Sequence, residues 1–547
     1  MRILMILSFI WLFACKTSEQ PKEIKWQRYD QAAEIEANAD HESGRMQFKL
    51  IQSKYLDKGK LFEKINKQLI DFSESDYNRL SPFVFEKNIL DIQEAIRNKE
   101  LSYKQLTQWY LYRILEFESV KDSALHAIID INPNAVKQAQ ELDDDQGSHP
   151  IYGMPILLKD NINTLDMPTT AGAHVLKDNN TEDAFIVNQM KKRGAIILGK
   201  LNLSEWAYFF CSGCPLGYSA IGGQTLNPYG RKVFETGGSS AGSGVATAAN
   251  YAVATVGTET SGSILSPSSQ NSVVGMKPTI GKLSRSGIVP ISSTLDTPGP
   301  MTKNVIDNAI LLSAMMGKDD ADSYSSVANQ SQIDFNKIKR GGLKGRRIGA
   351  FKYLMDSDSI YNLTIDKLKK YGADIVEVDQ TEVEFNGFLT LLNIDMKNDL
   401  PIYLKEYADE KISQRSIDDI IKYNLQDTAG YMPYGQQLFE GIANDTTSAS
   451  DYEKIKSDLM ENGRKYFEEQ MQKYNLEGVV SINNYHAGYA AVAHYPCLTV
   501  PMGYKDSGEP ISLTFIARPF NEQNLLQWAF DFELQSNMRK PPVNYGG

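Results

Sequence analysis

Apolar and polar positions along this chain alternate between a helical and a strand-like rhythm. After Ser102, residues Leu106, Trp109, Tyr110, Ile114 and Phe117 recur at helical spacing, and Ser102 with Gln105 forms a capping box, so the stretch predicts a buried amphipathic helix. Short apolar runs at Leu125 to Ile131 and Ile156 to Leu158 predict strands. A helix-like Phe185 to Arg193 then leads into a third strand at Ala195 to Leu198. The rhythm returns with strands at Arg347 to Phe351, Ile375 to Val378, Val479 to Ile482, Leu498 to Val500 and Ile511 to Ile516, and with helices at Ile360 to Tyr371 and Leu525 to Leu534. Such alternation implies an α/β fold with a mixed central β-sheet flanked by helices.

Two regions depart from it. Between Lys318 and Asn475 the chain turns charged and rich in tyrosine-containing helical segments, which predicts an inserted, mainly helical lobe over about 318–475. At the other end, Met1 and Arg2 precede an apolar run, Ile3 to Ala14, too short for a hydrocarbon layer of about 30 Å. The run closes on Leu12-Phe13-Ala14-Cys15, and a small residue before cysteine resembles the signal of a bacterial lipoprotein. The expected division is a signal peptide at 1–14, a polar tether at 15–45 that starts with an acylated Cys15, and a folded domain at 46–547. Localisation follows as exported and membrane-anchored through that lipid.

Composition narrows the function. The 547 residues hold 57 Lys and Arg against 68 Asp and Glu, a formal charge of −11 with no long basic run, so a nucleic-acid partner is not expected. A hydrophobic fraction of 42% suits a globular chain rather than a polytopic membrane protein. Of the cysteines at 15, 211, 214 and 497, Cys211 and Cys214 form a lone CxxC; no second half completes a zinc site, and spacing alone leaves a disulfide there open. No His-Glu-x-x-His, P-loop or GxGxxG is present, so neither a metal nor a cofactor is expected. His126, His149 and His174 read as core or surface histidines.

Three stretches concentrate chemistry. Gly237 to Gly244, Gly-Gly-Ser-Ser-Ala-Gly-Ser-Gly, runs straight into an alanine-rich helix former at Val245 to Asn250, where converging backbone N–H groups suit an anion. Val256 to Ile264 again sets hydroxyls and glycines at the end of an apolar run, and Gly153 to Asn161 ends its apolar segment on Lys159. A buried lysine loses basicity and becomes a candidate base.

Together these stretches resemble the amidase signature family of serine hydrolases. The likeness lies in a lysine after an apolar strand, a Gly-Gly-Ser-Ser loop and a Gly-Thr-x-x-x-Gly-Ser segment whose last serine comes 24 residues after Ser239. It extends to Leu201 to Ala207, Gly222 to Tyr229, Val273 to Ser292, Asp296 to Met301 and Pro496 to Gly503, and spans about Leu90 to Glu533. Within the family, the segments at Leu201 and Gly222 are most similar to bacterial peptide amidases. The resemblance implies the amidase signature fold and Ser263 as nucleophile, Ser239 as a bridging serine on a cis peptide, and Lys159 as the ultimate base. It also implies an oxyanion hole from the backbone N–H groups of Thr260, Ser261, Gly262 and Ser263, with Gly238 and Ser240 as helpers and Glu205 and Trp206 as supports. The substrate it implies is a small-molecule or peptide amide, favouring peptide C-terminal amides. Two positions depart: Leu265 stands where relatives often carry arginine, and Ser261 where most carry glycine.

Rival readings stay open on sequence. Gly238 to Gly242 also satisfies GxSxG, which would make Ser240 the nucleophile of an α/β-hydrolase with His486 or His494 as base. A glutaminase subunit working with tRNA is a second, and a non-catalytic peptide-binding lipoprotein a third. Asp160 and Asn161 either orient Lys159 or cap the next turn.

Overall fold

The computed structural model describes residues 26–145, 147–327 and 332–546. Met1 to Ala14 and Cys15, with the signal and acylation expected of them, lie outside the described residues. The strands, in chain order, are β1 (Ile128–Ile131), β2 (Pro155–Lys159), β3 (Ile196–Leu201), β4 (Tyr218–Ser219), β5 (Gly223–Gln224), β6 (Ala254–Glu259), β7 (Val274–Lys277) and β8 (Thr297–Thr302). They continue with β9 (Arg347–Phe351), β10 (Asp374–Val378), β11 (Gly478–Ile482), β12 (Cys497–Tyr504) and β13 (Pro510–Ala517). Among the described residues, 11 of them form one sheet in the order β1-β3-β2-β6-β8-β7-β12-β13-β11-β9-β10. The sheet is mixed: β3, β2 and β6 run parallel, as do β11, β9 and β10, while β8, β7, β12 and β13 are antiparallel to their neighbours.

Strand β2 is buried at every position, as a parallel strand covered by helices on both faces must be, and so reads as a continuous apolar run up to Lys159. The predicted capping box is present, with the Ser102 hydroxyl accepting from the Gln105 N–H and the Gln105 side chain from the Ser102 N–H, and the helix Tyr103–Glu118 follows. Its Arg113 is fully buried, donating to the Ala249 and Tyr545 carbonyls and to the Tyr77 hydroxyl. That pins the first helices and the C-terminal segment to the sheet.

Two expectations are corrected. Residues 26–45 are folded onto the body rather than forming part of a tether: Trp26 packs on the main core, the buried Glu34 pairs with Lys232 at 2.9 Å, and Asn38 donates to the Met46 and Lys232 carbonyls. Polar side chains carry these contacts, so the segment shows no apolar rhythm. The helical lobe does not fill 318–475 either, because β9 and β10 belong to the central sheet and the helix Ser359–Lys370 packs against it. The lobe proper is built from the helices Phe388–Glu406, Ile417–Asn424, Gln437–Asn444 and Ala449–Lys473. It has its own apolar core, in which Leu391, Met396, Leu400, Ile420, Phe439 and Leu459 meet Trp206, Phe210 and the bonded pair Cys211–Cys214. The open question of the CxxC is thereby answered: those cysteines form a disulfide, with Cα atoms 5.9 Å apart.

Candidate active site

The three chemistry-bearing stretches meet at the C-terminal ends of β2 and β6, the edge at which open parallel sheets bind ligands. Lys159 is the last residue of β2 and has no exposure. Its ammonium donates to Ser239 Oγ at 2.7 Å, to Thr258 Oγ1 at 2.8 Å and to the Thr258 carbonyl at 3.2 Å. Burial pulls its pKa down from 10.5 to about 7, against the carboxylates of Asp296 and Glu259, which pull it up. A lysine so placed sheds its proton near neutrality.

Ser239 and Ser240 sit in the loop that opens the helix Ala241–Ala248, and the Gly238–Ser239 peptide bond is cis. The Ser204 N–H donates to the Ser239 carbonyl at 3.0 Å. Ser240 stitches the other two stretches together: its N–H donates to the Ser263 carbonyl at 3.2 Å, and its hydroxyl donates to the Thr258 carbonyl at 2.9 Å while accepting the Thr258 N–H at 3.2 Å. Gly237 has a φ of +64°, and a Cβ there would lie 2.7 Å from the Pro267 nitrogen, so only glycine fits this crossing. Ser263 is half-buried, whereas Lys159, Ser239 and Ser240 are wholly buried; solutes reach the first and not the others.

Glu259 shapes the turn before Ser263. Its Oε2 accepts the N–H groups of Ile264 at 2.7 Å and Leu265 at 2.9 Å. Burial raises its pKa, opposed by Lys277 and by the N–H groups of Leu265, Ile264 and Gly262. Thr260 is anchored by its hydroxyl, which donates to Asp296 Oδ1 at 2.5 Å; the other Asp296 oxygen accepts from the Ile291 and Ser292 N–H groups. Asn484 and Phe385 wall the turn: a Cβ on Gly262 would lie 3.0 Å from Asn484 Nδ2, and one on Gly488 would lie 3.4 Å from the Phe385 ring and 3.8 Å from Ser261 Oγ.

The undecided neighbours of Lys159 separate. Asp160 turns away, ion-paired to Lys200 at 3.3 Å with both side chains fully buried and bonded to the hydroxyl of Thr170. Asn161 turns toward the site and donates to Thr258 Oγ1 at 2.9 Å. Glu205 is a support, as expected, accepting the Ala220 N–H at 2.8 Å, and Trp206 packs on Phe439 in the lobe core. Sequence reasoning missed the part played by Thr258, which stood inside a quoted motif but among several hydroxyls that nothing in the pattern distinguished.

The nucleophile-elbow reading loses its framework. Residues 231–235, ahead of the Ser240 loop, form turns and no strand. His486 is occupied elsewhere, bonded to Ser481 Oγ at 2.5 Å and to the Tyr353 hydroxyl at 3.0 Å. Burial holds His486 and His494 each near pKa 3. Replacing both by glutamine is expected to leave kcat on an amide within about threefold, whereas a histidine-dependent serine hydrolase would lose several orders of magnitude. Among the described residues no cluster of His, Cys, Asp or Glu could hold a metal ion.

The mixed sheet thus buries a lysine against a serine pair, with a further serine half-exposed in the neighbouring turn. The Amidase family model matches residues 105–526, and the chain belongs to that family and hydrolyses amides. It is similar to an amidase family protein of Bacillus anthracis, with TM-score 0.85 and 36% identity over 90% of this chain and 99% of that one. It is also similar to the native peptide amidase of Stenotrophomonas maltophilia, with TM-score 0.78 and 35% identity over 84% and 98% of the two chains. A protein of Arabidopsis thaliana described as a probable amidase is 36% identical over 84% of this chain and 91% of its own length.

Proposed function

We propose that this enzyme hydrolyses peptide C-terminal amides to carboxylate and ammonia through an acyl-enzyme on Ser263, with Ser239 as bridge and Lys159 as base. The observation that carries the reading is the 2.7 Å contact between a wholly buried Lys159 and Ser239, with the lysine pKa pulled to about 7. In the neutral state the Lys159 lone pair accepts the Ser239 proton as Ser239 takes the proton of Ser263, whose oxygen attacks the amide carbon. The C–N bond breaks as the relay runs backward and protonates the leaving nitrogen. Water then enters by the same route and releases the acid. N–H groups of Thr260, Ser261, Gly262 and Ser263 are suited to the oxyanion, where a lost donor typically costs about 3–4 kcal/mol.

Peptide amides are favoured on the likeness to the Stenotrophomonas enzyme and on the half-buried aromatic wall of Phe385, Phe388 and Tyr489 near the Ser263 turn. We further propose that the enzyme works outside the cytoplasm, held by a lipid on Cys15. The Leu12 to Cys15 run supports this, as does the Cys211–Cys214 bond, a linkage that persists in oxidising compartments. The test is ammonia release from a panel of C-terminally amidated dipeptides, set beside the same dipeptides as N-methylamides and beside aryl amides. Release from the primary dipeptide amides is expected; turnover confined to aryl amides would sink the substrate assignment and leave the reaction class standing.

A further inference from the structure

The mechanism above requires Ser239 to donate its proton to Lys159, yet a neutral lysine has three neighbours and can arrange its two hydrogens in more than one way. Ser239 Oγ, Thr258 Oγ1 and the Thr258 carbonyl all lie within 3.2 Å of its nitrogen. The carbonyl only accepts. The Thr258 hydroxyl can do either, and if it donates to the lysine lone pair, Ser239 is left without an acceptor for its proton. Something has to hold the Thr258 hydrogen elsewhere.

Asn161 is the group in contact with that hydroxyl. It is 2% exposed, its Nδ2 lies 2.9 Å from Thr258 Oγ1, and its Oδ1 has no partner among the described residues. It borders a small cavity whose charged wall residues are Asp296 and Arg285, the latter already forked onto Asp322. A half-turn of the amide about its terminal bond exchanges its two ends. Oδ1 then accepts the Thr258 O–H, and Nδ2 takes the place of the unmet oxygen beside a cavity that carries the Asp296 carboxylate. The Thr258 hydrogen gains an acceptor in the otherwise unmet Oδ1, and the Thr258 oxygen can only accept from Lys159.

Resting on the reading of Lys159 as base, we propose that Asn161 is a positioning residue that fixes, through the Thr258 hydroxyl, the direction of the hydrogen bond between Ser239 and Lys159. Both lysine hydrogens are then spent on Thr258, and the lone pair faces Ser239.

The test is the pH profile of kcat and KM on an amide for Asn161→Ala, Asn161→Asp and Thr258→Val, with Asn161→Ala also placed in the Thr258→Val background. Since a general base contributes roughly 10²–10⁴-fold, Asn161→Ala is expected to lower kcat about 10–100-fold at every pH with KM nearly unchanged. In the Thr258→Val background, which has no competing hydroxyl, it should cost nothing further. Asn161→Asp keeps an acceptor for Thr258; its added charge should move the acid limb to higher pH and leave kcat restored on the plateau. Equal losses from Asn161→Ala in both backgrounds, or an aspartate variant that stays low on its plateau, overturn the proposal. If the alanine variant does not fold, the aspartate plateau alone decides. Lys159→Met serves as the control: if it retains activity the base assignment itself falls, whereas an inactive Lys159→Met beside an unaffected Asn161→Ala sinks only the role of Asn161.

Discussion

Ammonia release from a peptide amide is expected to disappear when Ser263 is replaced by alanine, with kcat falling roughly 10⁴–10⁶-fold, the scale seen when a serine hydrolase loses its nucleophile. Without that oxygen no acyl-enzyme forms, and what survives is only what the remaining donors and bound geometry can do for water. The substitution should leave the fold alone. Ser263 is half-buried, and its contribution to the framework is the backbone carbonyl that accepts the Ser240 N–H, which alanine keeps. A thermal midpoint within about 2 °C of the parent is therefore expected, as for a substitution that removes no buried contact. Ser240→Ala should behave differently, because that hydroxyl bonds to both the carbonyl and the N–H of Thr258, and its loss leaves buried groups unmet. Comparing the two variants by ammonia assay and melting curve separates nucleophile from scaffold. A Ser263→Ala enzyme with full activity would remove the covalent route altogether.

The second large effect is at Lys159. Replacement by methionine fills a similar volume and removes the proton acceptor, and kcat is expected to fall about 10²–10⁴-fold, the range assigned to a general base. The pH profile supplies the sign. Neutral lysine is the active form, so kcat should climb about tenfold per unit as pH rises toward 7 and level off above it, since burial has brought the pKa down to about 7. Asp296 and Glu259 are the charged groups that oppose this by favouring the ammonium, and neutralising either should move the midpoint to lower pH. In the methionine variant the acid limb should vanish along with the activity. A limb that persists there at the same midpoint would assign it to some other group.

Much of this was legible in the residues and some of it was not, for reasons that differ from place to place. Lys159 ends an apolar run because β2 is buried on both faces and its last side chain reaches the ligand edge, so pattern and site coincide. Ser239 and Ser263 were findable because glycine-dense loops have little use in a core. Strands β7 and β8 left no such trace: β8 carries Pro298 and Pro300 inside a fully buried strand, against the ordinary preference of a central strand, and tertiary packing overrides the local signal. Residues 26–45 were hidden by the opposite cause, since buried polar contacts such as those of Asn38 have no periodicity to read. Thr258 and Asn161 acquire meaning only when β6 is laid beside β2, a neighbourhood that spacing along the chain does not encode.

The two larger apolar cores divide the enzyme in a way that heat or denaturant would expose. Lys159, Ser239 and Thr258 are fixed to the sheet, whereas Phe385 and Phe388 pack against the cluster of the helical lobe. Local opening draws first on regions with fewer buried contacts. Loosening of the lobe would then raise KM while the proton relay stays assembled, and mild warming would blur which amides are accepted before it slows the bond that is broken.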